Sequence, residues 1–436
     1  MENLKFKNLR KKYPKFVYKK FSYKISGNNL EIFFDFLAEP DLKFRPKIVI
    51  ENIDKKRLVK MRERALDNLA FHLGLIEIPS YWKATCSGEI EIRAGFLNPE
   101  QISFWKDLII NGMGQFFYEN KINWRTPNFL KITSLPRTFL GKYLNGSPKY
   151  IPQLNLKNRY LVPVGGGKDA IVTLELLKKH KKSANAFLVN PTQAAKQVIK
   201  VAGIKNPIII KRTIDPALLG LNQKGFLNGH TPFTAVLSFL SVFCAVLFDY
   251  KNIVFSNEKS ANEGNVKYLR KMINHQWSKS FEFERKFKNY CKKYLARNIN
   301  YFSLLRTYTE LEISKMFLKY PKYFSVFSSC NVGSKTGQRW CGNCPKCLFV
   351  YATFYPFLEK KQLFKIFGRD IFDASTSSAQ EKKKLLLIMK GLLGQGRPKP
   401  FECVGTKKES RLAFSLSLKK AQKTGKAPYL LTNFIK

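Results

Sequence analysis

Two stretches of this 436-residue chain hold residues whose types and spacing could do chemistry. The first is Gly165-Gly166-Gly167-Lys168-Asp169-Ala170. Three successive glycines give a backbone that accepts positive φ, and they let ligand atoms approach without a Cβ in the way. A helix that begins directly after such a turn aims unbonded N–H groups and the positive end of its dipole back at it. That arrangement suits a polyphosphate. The spacing excludes both the G-x-x-x-x-G-K-[ST] loop and the dinucleotide G-x-G-x-x-G pattern. A glycine-rich turn with no ligand is the other reading, although Lys and Asp have little packing value in such a place.

The second stretch is Cys330 followed by Cys341-Gly342-Asn343-Cys344-Pro345-Lys346-Cys347, four of the eight cysteines within eighteen residues. Intracellular chains seldom keep disulfides, so the cluster reads as a metal site. Four thiolates close a tetrahedral shell around zinc and leave no open position, which is the structural kind of site. Buried free thiols and an iron-sulfur cluster are the alternatives. Isolated candidates lie elsewhere. Cys403, in the polar phrase Pro400-Phe401-Glu402-Cys403-Val404-Gly405-Thr406, and Cys86, after Lys83-Ala84-Thr85, are thiols that could serve as carbon-acid bases. Small buried packing residues are the other reading of both. His230 and His275 are comparable candidates, and Glu258 could bind magnesium or orient an amide. His72, His180, Cys244 and Cys291 sit in contexts that read as structural.

These residues need elements to position them. Tyr160 to Val164 reads as a short buried strand, and Ile171, Leu174 and Leu177 recur at helical spacing after the glycines. Then follow a strand at 186–189, a helix at 193–202, a strand at 207–210, an apolar helix at 233–248 and a strand at 252–255. This alternation implies an α/β fold, a parallel sheet with helices on both faces. Ligands of such sheets sit beyond the carboxyl ends of the strands. Residues 228–231 and 256–263 fall at that edge, the second carrying Asn257, Glu258 and Asn262. Residues 1–152 read as an α+β domain of their own. It has strands at 30–34, 47–50 and 89–92, a helix over 56–75, and a helix from Pro99 through Ile110 capped by Asn98. Gly112 to Tyr118 is a glycine-broken aromatic segment, and 145–158, rich in Asn, Pro and Lys, reads as a linker. Residues 153–360 form the sheet domain with its cysteine knuckle, and 361–436 a C-terminal helical cap.

With 44% hydrophobic and 14% aromatic residues the chain is globular, and it is long enough for two or three domains. Its N-terminus has no apolar run that would serve as a signal peptide. The apolar stretch 233–248 falls short of the roughly 20 residues needed to span a bilayer. The reading is a cytoplasmic protein with no membrane segment. The net charge of +46 is spread over the whole chain. Runs such as Lys178 to Lys182 and Lys382 to Lys384 read as solvated helix faces. We take the charge as compositional bias together with anionic small substrates, in preference to a nucleic-acid surface.

The loop resembles the SGGxDS motif of PP-loop ATP-pyrophosphatases, a HUP-like fold whose members split ATP between the α and β phosphates and adenylate a substrate oxygen. Gly165 and Ala170 stand where that motif has serines. Its pairing with a C-x10-C-x2-C-x2-C knuckle resembles 7-cyano-7-deazaguanine synthase, and Glu310-Leu311-Glu312-Ile313 leads toward the knuckle in a similar way. Over residues 65–415 the phrases SYWKATC, GMGQFFYEN, VPVGGGKDA, SNEKSANEGN, SSCN, WCGNCPKCLFVY and PFECVGT resemble the UDP-N-acetylmuramoyl-L-alanyl-L-glutamate epimerase family of peptidoglycan synthesis. That resemblance implies ATP- and Mg2+-dependent inversion of a terminal glutamate on a UDP-linked muramoyl dipeptide. It also implies a zinc knuckle and ATP held by 165–170 with Asn257 and Asn262, with Lys168 offsetting the phosphate charge and Asp169 holding Mg2+; the candidates for the proton transfer that it requires are Cys403, Cys86, His230 and His275, with Glu258 at the magnesium or the substrate amide. The alternative is an ATP-pyrophosphatase that adenylates a nucleobase in tRNA or deazapurine modification.

Overall fold

The first strands follow from local sequence. Lys15–Ser26 and Asn29–Ala38 pair antiparallel with Ser26 opposite Asn29, so Gly27 and Asn28 alone make the turn. Gly27, with φ of 58°, takes the first central place of a two-residue hairpin turn, which favours glycine. Along the second strand every other residue, Leu30, Ile32, Phe34, Phe36 and Ala38, is buried, the period of two that a half-covered strand requires. The structure, a computed structural model, describes residues 3–60, 63–136, 155–373, 377–425 and 427–434. Residues 145–154 of the expected linker lie outside these.

The chain is a mixed α/β protein with a large sheet flanked by helices. It separates into two compact units, each assembled from non-contiguous stretches. The first comprises Met1–Leu161, Ile208–Val254 and Lys267–Phe302. In it Lys47–Ile50 pairs antiparallel with both Asn29–Ala38 and Ile208–Thr213. On the other side Glu89–Ile92 runs parallel to Lys15–Ser26, and Lys131–Ser134 runs parallel to Glu89–Ile92. The sheet is therefore mixed, not wholly parallel. The tight Gly27-Asn28 turn forces one antiparallel pair, and the strand expected at 207–210 pairs antiparallel with Lys47–Ile50. Tyr160–Pro163 and Asn252–Phe255 do run parallel, as expected.

Helix Glu63–Trp82 covers this sheet, with Phe71 stacked on Tyr18 at 6.0 Å and Tyr81 packed on Phe36 and Phe44. The apolar helix Phe233–Phe248 fills the centre of the unit. Trp105, Phe239 and Tyr290 pack around buried His72, whose Nδ1 lies 2.7 Å from the Asn68 carbonyl and whose Nε2 lies 2.9 Å from the Tyr290 hydroxyl. A carbonyl can only accept, so Nδ1 carries the proton and Nε2 accepts from the tyrosine. Helix Pro99–Gly112 begins with the expected Asn98 cap, closed into a capping box by Gln101.

The second unit comprises Val162–Pro207, Phe255–Val266 and Ser303–Lys436. Its helix Lys168–Lys179 packs against Glu310–Leu318, which in turn packs on Pro345–Phe354. Helices Ala379–Leu393 and Lys407–Thr424 cover the last of these. Phe317, Phe327 and Phe354 form the aromatic centre, with Trp340 and Phe367 beside them.

Candidate functional site

The glycine loop in the second unit is shaped by close backbone approaches. Gly166 has φ of 93°, and a Cβ there would sit 2.8 Å from the amide nitrogen of Ala195. Both features require glycine. Its carbonyl accepts from the Ser328 amide at 3.0 Å, and a Cβ on Gly167 would meet Ser329 Oγ at 2.8 Å. A Cβ on Gly165 would meet nothing within 4 Å, so the loop is open on that side. Gly167 is the N-cap of helix Lys168–Lys179 and has no side chain to bond the first-turn amides. Those amides and the helix dipole are the donors that an anionic group would use.

Behind the loop lies a buried charge cluster. The Lys168 ammonium bonds both Asp169 Oδ1 and Glu310 Oε2. Lys168 and Glu310 are each 1% exposed at the side chain, whereas Asp169 is 25% exposed and reaches the surface. Burial works against the lysine's charge, but the two carboxylates outweigh it and hold the ammonium protonated well above its usual range. Burial pushes the Glu310 carboxyl up, and the ammonium opposes that shift. Lys346, Asp169 and Glu258 also act on Glu310 through space. Glu310 opens its helix, and its backbone amide donates to Glu409 Oε1 at 2.8 Å. Glu409 itself closes the capping box of helix Lys407–Thr424 with Thr406. Among the described residues, buried Glu310 Oε1 and Ser256 Oγ have no hydrogen-bond partner, the kind of orphan that a ligand satisfies.

Of the other expected residues of this unit, Glu258 acts on Glu310 through space. Glu258, 3% exposed, accepts from Ser260 Oγ at 3.3 Å. Asn257 is buried and donates to Ser303 Oγ at 3.0 Å, whereas Asn262 is exposed and donates to the Lys259 carbonyl at 3.1 Å. Ala170 is buried in the helix. Cys403 is half-buried, and its carbonyl accepts from the buried Lys346 ammonium.

Lys346 lies between two members of the cysteine cluster. Cys330, Cys341, Cys344 and Cys347 offer sulfur atoms that all lie within 4.8 Å of one another, and none is disulfide-bonded. The Cys330–Cys344 and Cys341–Cys347 sulfur pairs are each 3.8 Å apart. Tetrahedral zinc with bonds of about 2.3 Å demands a sulfur–sulfur separation of about 3.8 Å, so the four are arranged to hold such an ion. Amides of Gly333 and Cys347 point at Cys330 and Cys344 Sγ, at 3.1 and 3.4 Å, as thiolate ligands require. Gly342, at φ of 72°, turns the chain between ligands, and Pro345 starts the helix that carries Cys347.

Cys86 and His230 belong to the first unit. Cys86 is fully buried in a left-handed conformation, φ 51°, and burial pushes its thiol up to about 12. His230 and His275 have ring centroids 4.4 Å apart, and His275 Nδ1 meets Gln115 Oε1. Burial, followed by His275 and Lys83, pulls His230 down to about 3, leaving it neutral. Lys83 donates to the Gly229 carbonyl at 3.1 Å; burial and then Arg212 pull its ammonium down to about 8. Cys244 and Cys291 are buried packing residues.

The family model described as "MurL N-terminal domain" matches residues 7–304, and "MurL C-terminal domain" matches 326–433. A "UDP-N-acetyl-alpha-D-muramoyl-L-alanyl-L-glutamate epimerase" of Xanthomonas oryzae pv. oryzae is 33% identical over 365 residues, covering 80% of this chain and 74% of the relative. A protein of the same name from a Micromonospora strain is 35% identical over 340 residues, covering 77% and 72%. One from Salinispora tropica is 34% identical over 343 residues, covering 77% and 70%. The chain belongs to this epimerase family.

Within this family member, sequence reasoning missed three partners. Glu310 pairs with Lys168 across 142 positions, Lys346 reaches Cys403 across 57, and Lys83 approaches the segment before His230 across 146. The one available signal was a lysine between two clustered cysteines, a place where solvent exposure is the ordinary expectation. Among the described residues no helix is long and apolar enough to cross a membrane.

Proposed function

We propose that this chain inverts the terminal L-glutamate of UDP-N-acetylmuramoyl-L-alanyl-L-glutamate to D-glutamate in the cytoplasmic synthesis of peptidoglycan precursors. The observation that carries this reading is the family match, which spans both units and is joined by relatives of that name. The relatives' names favour a sugar-linked dipeptide over a nucleobase.

The chemistry asks for activation of a carboxylate. Removing a proton α to a carboxylate builds negative charge beside existing charge, so the carboxylate must first be neutralised. One of its oxygens attacks the α-phosphorus of ATP, pyrophosphate leaves, and the acyl-adenylate has an acidic α-carbon. A base takes that proton, an acid returns one to the opposite face, and water releases AMP and the inverted product. In this reading the loop is of the PP-loop type. Gly165, Gly166, Gly167 and the first-turn amides from Lys168 to Ala170 receive the phosphates, with Asn257 holding the strand ends and Asn262 at the rim. Asp169 is the carboxylate that holds Mg2+, and Lys168 supplies positive charge behind the loop. The four cysteines hold Zn2+ as a structural ion.

For proton transfer, half-buried Cys403 is the thiol that a substrate can reach, whereas Cys86 is wholly buried. Glu258 stands in the Glu310 cluster as a second carboxylate for metal or proton. His230 we place on the substrate-binding side. Purified protein given ATP, Mg2+ and the UDP-linked dipeptide should form AMP and pyrophosphate only when all three are present. ATP consumption that ignores the dipeptide would defeat this function.

A further inference from the structure

Cys403 lies in a loop, residues 394–406, that joins helices Ala379–Leu393 and Lys407–Thr424 and contains neither helix nor strand. Its conformation therefore rests on bonds to its neighbours. On one side it is gripped by the segment that follows strand Asn252–Phe255. There Asn265 Nδ2 donates to the Pro400 carbonyl at 2.7 Å, and Glu263 accepts from the Lys407 amide at 3.2 Å and faces the buried Lys399 ammonium at 3.4 Å. On the other side lies the cysteine knuckle. Asn331, the residue after Cys330, donates to Glu402 Oε2 at 3.0 Å, and Lys346, between Cys344 and Cys347, donates to the carbonyl of Cys403 itself. Gly405 lies so close to Phe349, on the helix that carries Lys346, that a Cβ would sit 2.5 Å from its ring.

Lysine is an unexpected residue at position 346. It stands second in helix Pro345–Phe354, where the dipole opposes a positive charge, and it is only 7% exposed. Its hydrogen bond goes to a carbonyl and not to a carboxylate. A buried ammonium needs compensation. The Cys403 carbonyl and, through space, Glu310 supply part of it. The knuckle supplies the rest, because four thiolates outweigh the charge of one zinc ion and leave a net anion beside the lysine. We infer that Lys346 is a positioning residue: it ties the Cys403 backbone to the knuckle, so that the metal-binding fold governs how that thiol is presented to the substrate. The epimerase reading enters only through the assignment of proton transfer to Cys403; the tether stands on the contacts themselves.

Cys403 and Cys341 are the two cysteines that are not fully buried, and Cys341 belongs to the metal cluster. Alkylation of the folded, zinc-loaded protein by iodoacetamide, mapped by peptide mass spectrometry, thus reports on Cys403 without reference to turnover. Lys346→Met that retains its zinc should be alkylated at Cys403 about tenfold faster than wild type, the worth of one hydrogen bond from a charged group, and Lys346→Arg should return most of the way. Asn331→Ala, at an exposed site, cuts the second knuckle tether and should also raise the rate; it decides the matter if Lys346→Met fails to hold zinc. With ATP, Mg2+ and the UDP-linked dipeptide, Lys346→Met should lose exchange of the glutamate α-proton by a similar factor while AMP formation stays near wild type. Faster alkylation with exchange and AMP formation both intact keeps the tether and removes Cys403 from proton transfer. Wild-type protein that forms no AMP counts against the epimerase reading and leaves alkylation to decide the tether. A wild-type alkylation rate in zinc-loaded Lys346→Met, or in Asn331→Ala where the former lacks zinc, overturns the inference. So does equal loss of exchange and AMP formation in the Met and Arg variants alike, which is the mark of general loosening.

Discussion

Glu310→Leu tests the buried charge cluster most sharply. Lys168 and Glu310 are both 1% exposed, so removing the carboxylate strands an ammonium away from water. Breaking a buried pair by deleting one partner typically costs about 3–5 kcal/mol. Here Asp169 still bonds Lys168, which brings the expected cost down to about 2–3 kcal/mol. For a unit of this size each kcal/mol lowers Tm by about 2–4 °C, so the transition should fall by about 4–12 °C. The same reasoning gives Lys168→Met a comparable loss, because Glu310 would then be buried without its cation. The double variant Lys168→Met/Glu310→Leu removes both charges together, and apolar replacement of a buried pair is often close to neutral. It should therefore be more stable than either single variant, a coupling beyond simple additivity. Differential scanning calorimetry of the three variants, each checked for metal content, reads this directly. Single variants within 1 °C of wild type, or a double variant whose loss equals the sum of the two, would refute the argument.

Other expectations follow from the same geometry. Cys344→Ser should lose its bound zinc by elemental analysis and lower the midpoint of thermal unfolding, since metal binding is coupled to folding; a full equivalent of zinc would remove Cys344 from the ligand set. Cys403→Ser should still form AMP while losing exchange of the glutamate α-proton with solvent, and exchange at the wild-type rate would clear Cys403 of proton transfer. His72 is neutral in the folded state, its imidazole pulled down by burial from 6.5 to about 4. The unfolded chain therefore binds more protons between these values, and stability falls as pH drops from 6.5 toward 4, by at most about 3 kcal/mol. Urea midpoints across that range should show a shallower acid slope in His72→Gln than in wild type; equal slopes would contradict the assignment.

Legibility from sequence followed the range of the interactions. The Asn98 cap, the Gln193–Ala202 and Phe233–Phe248 helices and the Asn252–Phe255 strand were readable because capping and apolar periodicity act over a few residues. The clustering of the four cysteines was readable because three of them are only three residues apart in the chain. The mixed sheet was not, since the pairing of Ile208–Thr213 with Lys47–Ile50 joins distant stretches whose patterns fit either direction. Nor were the partners of Lys168, Lys346 and Lys83. A buried ion pair or a lysine-to-carbonyl bond leaves no periodic trace, and a lysine in a strongly basic chain reads as solvated until its surroundings are known.

The central claim is that this chain activates a glutamate carboxylate with ATP and inverts the adjacent carbon. The most direct measurement is a reaction in deuterium oxide with ATP, Mg2+ and UDP-N-acetylmuramoyl-L-alanyl-L-glutamate, followed by acid hydrolysis and chiral analysis of the glutamate. The account predicts D-glutamate carrying deuterium at the α-carbon, with AMP formed alongside it and both products lost in Asp169→Asn. Glutamate that stays entirely L and free of deuterium, or deuterated D-glutamate formed without ATP, would contradict it.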